Sequence, residues 1–412
     1  MADSVSIFSE GTFEEQILEI INYLARTWPE ETRPAYVQPF ADALKTPEGQ
    51  KPLDEDGPRK KQVLSTVLAE VTSLGDGSDE EIEGFFNLIY SHVLSIYPSV
   101  ELVDPIASLL SVVFVAPSEQ SAVKYRILSN LYNVLPRTSP LRLQVYSTLL
   151  SLASSQDDLD VLQLTPSEVE RQLGEWEVST DQKSAFLELI IEAFTKTGDL
   201  ASAYPFSLLH LKLFDSSSPK ARQAGIDAIV LALRLPQVFD FNPLFKLDGV
   251  IAAKDHELFS LLQVFLTGSL QDYNAWMTNH AGVLEQYGLR SDDLLRKIRL
   301  LTLASLAFKS VGSNLPYAKI AEVLEITSSE VEAWVIDVIR AGLLVGKLSQ
   351  TTQTLHVVRS TARVFEKEQW QILENRLVSW KSNLSSVLEV IAAARRNGGN
   401  VHVSAQTQTV TV

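Results

Sequence analysis

The chain has no cysteine. Disulfides, thiolate zinc sites and thiol nucleophiles are therefore excluded, which removes the staples of a small secreted fold and one class of covalent catalysis. Long apolar runs are missing too. The longest, such as AIVLAL at 228–233, fall far short of the roughly 20 residues that span a bilayer. Nothing in the opening MADSVSIFSEGTFEEQ resembles a signal peptide, so the expected location is the cytoplasm, with no membrane partner. Positive charge is also scarce. Lys and Arg number 35 against 51 Asp and Glu, for a net charge of -16, which argues against a general binder of polyanions.

Catalytic signatures fail on spacing. The six histidines, His92, His210, His256, His280, His356 and His402, never form HxH, HExxH or another pair at ligand spacing, so no metal site is expected. GLLVGKL at 342–348 is one residue short between its glycines for a phosphate loop, and Leu348 stands where Ser or Thr must meet magnesium. GDG at 75–77 lacks the third glycine of a dinucleotide fingerprint, and no GxSxG occurs. With so many acidic residues, a chosen carboxylate pair reads as a solvated helix face before it reads as a dyad. The expectation is a non-enzyme with no cofactor and no small-molecule substrate.

What the chain does have is helical periodicity. Its 412 residues, 45% hydrophobic, suffice for two or three domains with cores. A first helix is expected over 12–27, stopped by Pro29. The stretch 45–61 contains Pro47, Pro52, Pro58, Gly49 and Gly57 with almost no apolar content, so it reads as a loop or partly disordered insert. Helices resume at about 60–74, and Ser78 with Glu81 forms a capping box ahead of Ile82, Phe85, Phe86 and Ile89. This N-terminal helical region occupies 1–101. Over 102–285, apolar stripes of about four turns predict helices at 102–115, 119–134, 139–154, 165–174, 180–197, 199–213, 219–234, 255–267 and 269–282. Pro136, Pro140, Pro166 and Gly198 punctuate them. Hairpins that cannot each bury their apolar faces must stack, as in a helical-repeat solenoid.

From 286 to 362 the order changes to that of a winged helix. Helices are expected at 294–308, at 315–326 with Ile320, Val323 and Leu324 inward, and after a Thr327/Glu330 capping box with Val331, Trp334, Val335, Val338 and Ile339 inward. Gly342 stops the third helix in a left-handed conformation, and LLVGKLSQ and TLHVVRS flank Gln350 to Gln353 as a hairpin. The third helix would enter a DNA major groove, yet across 328–341 it holds Glu330, Glu332 and Asp337 against Arg340. A net-negative reading helix is repelled by phosphates. Protein contact is the better use of such a module.

Two aromatic groups need placing. Trp276 with Tyr273, and Trp334 with Ile320, fall on apolar helix faces and read as core. Phe239, Phe241 and Phe245 lie between helices around Pro243, where they either plug the groove beside the winged helix or anchor a partner; the plug is favoured.

A mostly α chain with a helical-repeat stack, a winged-helix cap and a long helix at 363–396 resembles the PCI domain family, shared by the proteasome lid, the signalosome and eukaryotic translation initiation factor 3. HELFSLLQVFLTGSLQDYNAWM (256–277) and the winged-helix stretch 294–360 carry the resemblance, which extends over about 200–390. The latter looks like one particular subunit of the initiation factor. The resemblance implies a non-catalytic scaffold supporting assembly on the small ribosomal subunit and recruitment of messenger RNA in translation initiation. Its implied partners are other PCI-domain subunits and associated subunits of that complex, with the ribosome reached through the complex and no direct high-affinity nucleic acid. A signalosome or proteasome-lid subunit is one alternative, and a winged-helix nucleic-acid binder another.

Two surfaces are the candidate contacts. Val345, Gly346, Lys347, Leu348 and Ser349 form a strand at the edge of the wing, where unpaired backbone groups can extend a neighbour's sheet. After it, an apolar stripe runs through Trp370, Leu373, Leu377, Trp380, Leu384, Val387, Leu388 and Ile391. A winged helix is expected to cover only its first part, leaving Leu384, Val387, Leu388 and Ile391 for partner helices. Residues 397–412 read as a disordered tail.

Overall fold

The computed structural model describes residues 11–45, 52–117, 120–214, 219–364 and 367–397. Residues 46–51 of the prolyl insert, and the tail beyond 397, lie outside these. The chain divides into two compact units, the first ending at Ala224 and the second beginning at Gly225.

The first unit is built from α1 (Phe13–Ala25), α2 (Arg33–Leu44), α3 (Gly57–Glu70), α4 (Asp79–Ile96), α5 (Val103–Val115), α6 (Ser121–Val134), α7 (Leu141–Gln156), α8 (Pro166–Glu175), α9 (Thr180–Lys196) and α10 (Leu200–Leu211), with α11 (Pro219–Arg234) crossing the division. Local chemistry starts several of them. Thr12 with Glu15, Ser78 with Glu81, and Ser179 with Gln182 close reciprocal capping boxes at α1, α4 and α9, each satisfying two otherwise orphaned backbone donors. One core runs from Phe13 through Leu152, continuing past position 101 without a break. The described part of the insert is not a bare loop. Leu53, in a short 3-10 turn, is almost fully buried, and Asp56 caps α3, which begins at Gly57.

The second unit opens with two one-turn helices, α12 (Asn242–Phe245) and α13 (Asp248–Ile251), followed by α14 (Glu257–Thr267), α15 (Leu270–Asn279) and α16 (Val283–Gln286). Phe241 is buried against Phe265 of α14 at 5.7 Å between ring centroids, and Phe245 stacks on Phe259 at 5.6 Å. Phe241 therefore acts as a plug. The winged helix follows as α17 (Ser291–Lys309), β1 (Asn314–Pro316), α18 (Tyr317–Leu324), α19 (Val331–Arg340), β2 (Leu344–Ser349) and β3 (Thr354–Ser360), then α20 (Lys367–Asn397). Strand order is β1-β3-β2, antiparallel throughout. The second helix starts two residues later than its periodicity suggests, because Leu315 pairs with Leu355 in β1. Gly342 has φ +73, as its role as helix stop requires. Only half of the Thr327/Glu330 box forms: the Thr327 N–H and hydroxyl donate to Glu330, and α19 begins after Glu330 with no side-chain cap.

Candidate protein-interaction surfaces

The winged helix is held to the helices before it by two cations, one buried and one half-buried. Lys297 of α17 donates to the carbonyls of Ala232 (2.9 Å), Leu233 (3.1 Å) and Leu235 (2.5 Å) at the end of α11, and sits 5.3 Å from the Phe241 ring. Burial pushes its pKa down to about 7, against an opposing pull from Asp293. Arg363 follows β3. It donates to the carbonyls of Leu301 (3.0 Å) and Gly268 (2.6 Å) and to the Thr302 hydroxyl (3.1 Å), while its own carbonyl accepts from Asn242 at 2.5 Å. Desolvation lowers its pKa to about 10, which leaves it charged at neutral pH. Arg363 thus ties α14, α17 and the α12 turn to the point where the chain turns into α20. Its guanidinium fork satisfies loop and helix carbonyls from two elements at once.

Beyond that anchor, α20 is held lightly. Its 31 residues make a rod about 46 Å long, and only Gln369, Ile372, Arg376 and Ala392 among its described side chains are even half-buried. Arg376 donates to the Phe308 carbonyl at 2.8 Å and lies over the Phe308 ring. The stripe is exposed along its length, from Trp370 at 61% and Trp380 at 64% to Leu384, Val387, Leu388 and Ile391 at 48–58%. The winged helix therefore covers less than expected: in the first part of the stripe Trp370, Leu373, Leu377 and Trp380 are all exposed. The reason is rotational. Arg376, rather than the stripe, faces α17.

The wing places β2 at the outside of its sheet, paired only with β3 among the described strands. Val345, Lys347 and Leu348 are exposed, and Gly346 and Ser349 half-buried. Gly346 answers to its own hairpin. A bulge falls between Val345 and Gly346, and a Cβ on Gly346 would stand 2.7 Å from the His356 carbonyl oxygen, so any larger residue there distorts the wing itself. Val345 and Leu348 are free of that constraint. Replacing both with lysine guards the edge as natural edge strands are guarded; co-purification of neighbouring subunits should fall at least tenfold, read by quantitative mass spectrometry, with thermal unfolding unchanged.

The exposed residues of α19 are Ala333, Ile336 and Arg340, so the face a duplex would meet is no basic reading surface. Ile336 is exposed at 42%, Asp337 is paired with Arg296 at 2.8 Å, and Arg299 lies over the Trp334 ring. Among the described residues no group of three His, Asp or Glu gathers as a metal set would, and no helix is long and apolar enough to cross a membrane.

Helices leading through a winged helix into a projecting terminal helix define a PCI-domain protein, and residues 270–359 match the PCI domain. Residues 363–391 match the family described as eIF3 subunit M, C-terminal helix. Eukaryotic translation initiation factor 3 subunit M of Phaeosphaeria nodorum is 32% identical over 95% of this chain and 89% of its own length. The protein of that name from Aspergillus terreus is 32% identical over 96% and 88%, and that from Dictyostelium discoideum 32% over 77% and 80%. The chain belongs to the eukaryotic translation initiation factor 3 subunit M family.

Proposed function

We propose that the chain is a non-catalytic scaffold subunit of eukaryotic translation initiation factor 3 in the cytoplasm, joining other PCI-domain subunits and reaching the small ribosomal subunit and messenger RNA through the assembly. The observation that carries this reading is the uncovered apolar stripe of α20. So large an exposed apolar surface on one element marks a protein-contact site. The edge strand Val345 to Ser349 serves as a second joint, by backbone pairing with a neighbour's sheet. The finer division into 1–101, 102–285, 286–362 and 363–396 belongs to the same proposal, with the last segment as the assembly handle.

Tagged chain purified from its own cells at physiological salt should bring down initiation factor 3 subunits and small-subunit ribosomal proteins. Signalosome or proteasome-lid subunits in their place would overturn the assignment. The purified chain alone should bind neither duplex DNA nor structured RNA with a dissociation constant below micromolar, as measured by filter binding, because its net charge of -16 repels phosphates. A nanomolar, sequence-selective complex would reject the scaffold reading.

A further inference from the structure

The first unit carries an uncovered groove of its own, between α1 and α4. The two helices run antiparallel: Arg26, after the end of α1, pairs at 2.8 Å with Glu81 in the first turn of α4, and the Tyr23 ring stacks on Phe85 at 4.4 Å. Between them lies a cleft of about 550 Å³, floored by Leu18, Tyr23, Phe85 and Leu88 and walled by Glu15, Glu19 and Glu81. The lining positions recur every three or four residues on both helices. That makes the cleft a straight trough about three turns long, the shape that receives the apolar face of a third helix.

Gly84 lies on this trough, in the interior of α4. Glycine weakens a helix interior relative to alanine, so its presence needs a reason. A Cβ built on Gly84 meets nothing within 4 Å; the chain's own packing therefore does not require glycine there. Its lack of a side chain instead leaves room for another backbone to come close.

Charge selects the occupant. Residues 1–100 hold 18 Asp and Glu against 7 Lys and Arg, most of the chain's negative balance. Of the charges lining the trough, Arg26 and Glu81 engage each other, which leaves Glu15 and Glu19 to make the wall acidic. Such a wall repels nucleic acid and acidic segments and attracts Lys and Arg.

We propose that the α1/α4 trough docks a basic amphipathic helix of a partner protein, whose apolar stripe crosses over Gly84 and whose Lys and Arg side chains meet Glu15 and Glu19. This surface is additional to β2 and α20 and does not depend on them.

The test uses the full chain, expressed in its own cells with the photo-crosslinker p-benzoylphenylalanine in place of Asn22, which is exposed on the trough. Sequencing of the adduct should give a segment of another protein that has a net positive charge and apolar residues at helical spacing. Gly84→Gln fills open space without touching the fold, and should cut adduct yield at least tenfold while the Tm stays the same or rises. Glu19→Lys should reduce the yield comparably. An adduct with this chain's own residues, including 1–10, with a neutral or acidic segment, or with no protein at all, overturns the proposal. So does a yield indifferent to Gly84→Gln. Because neither variant alters β2 or α20, retained co-purification of PCI-domain subunits separates failure here from failure of the scaffold reading.

Discussion

Ending the chain after Ser382 should leave a folded protein that no longer purifies with its assembly, whereas ending it after Gly398 should change little. The cut removes Leu384, Val387, Leu388 and Ile391, which are 48–58% exposed. Covering what remains exposed of four such side chains is worth at most roughly 3–6 kcal/mol, at 1.5–3 kcal/mol for each fully buried one. That range corresponds to about 10²–10⁴ in affinity, enough to turn a stable contact into one lost on washing. None of the four is buried in the fold, so removing them takes away no core. Circular dichroism should fall only by the helix deleted, and the Tm should hold. A truncated chain that assembles normally would show that the distal stripe is not the handle.

Lys297→Met should destabilise the second unit by about 1–3 kcal/mol net, because buried carbonyls lose their donor. The ammonium satisfies three carbonyls at the end of α11. Methionine fills the volume and satisfies none, and each stranded buried acceptor costs about 1–3 kcal/mol. Relief from burying a charge offsets part of this. The same lysine sets a pH dependence. Its folded pKa is near 7 and its ordinary value 10.5, so between these limits the unfolded chain binds more protons than the folded one. Stability contributed at this site rises with pH across that window, and the protonation penalty is present in full below about 7. Urea denaturation monitored at pH 7 and pH 9 should show wild type gaining stability that the methionine variant does not gain.

The parts that were legible in the sequence are those governed by local rules. The capping box at Ser78, the glycine stop at Gly342, and the inward Val331, Val335 and Val338 of α19 depend on residues within a few positions of one another. The family resemblance was readable for the same reason: the order of elements is written in their periodicities. β1 was not legible, because three residues become a strand only where β3 offers them partners. The anchoring cations Lys297 and Arg363 escaped for a different reason. Charged side chains are assigned to the surface by default, and nothing around Arg363 is periodic. Lys297 did leave a trace, three residues after Leu294 and four before Leu301, inside the apolar stripe of its own helix. The rotation of α20 was invisible, since Arg376 competes with the apolar stripe for α17 by donating to a carbonyl and covering a ring. The α1/α4 trough was missed as well, because its signal is a glycine whose lack of any neighbour shows only in three dimensions.

The light grip on α20 has a mechanical consequence. With its nearest described hydrogen bond to the body at Arg376, the rod extends 21 further residues to Asn397, about 30 Å of lever arm. A tilt of roughly 10° at that fulcrum sweeps the tip through about 5 Å, close to the 5.4 Å of one helical turn. Angular slack at the base therefore equals a full step of side-chain register at the end. Alignment of any helix that meets the tip must be decided by interdigitation along the rod itself, with the spacing of Trp380, Leu384, Leu388 and Ile391 acting as the ruler.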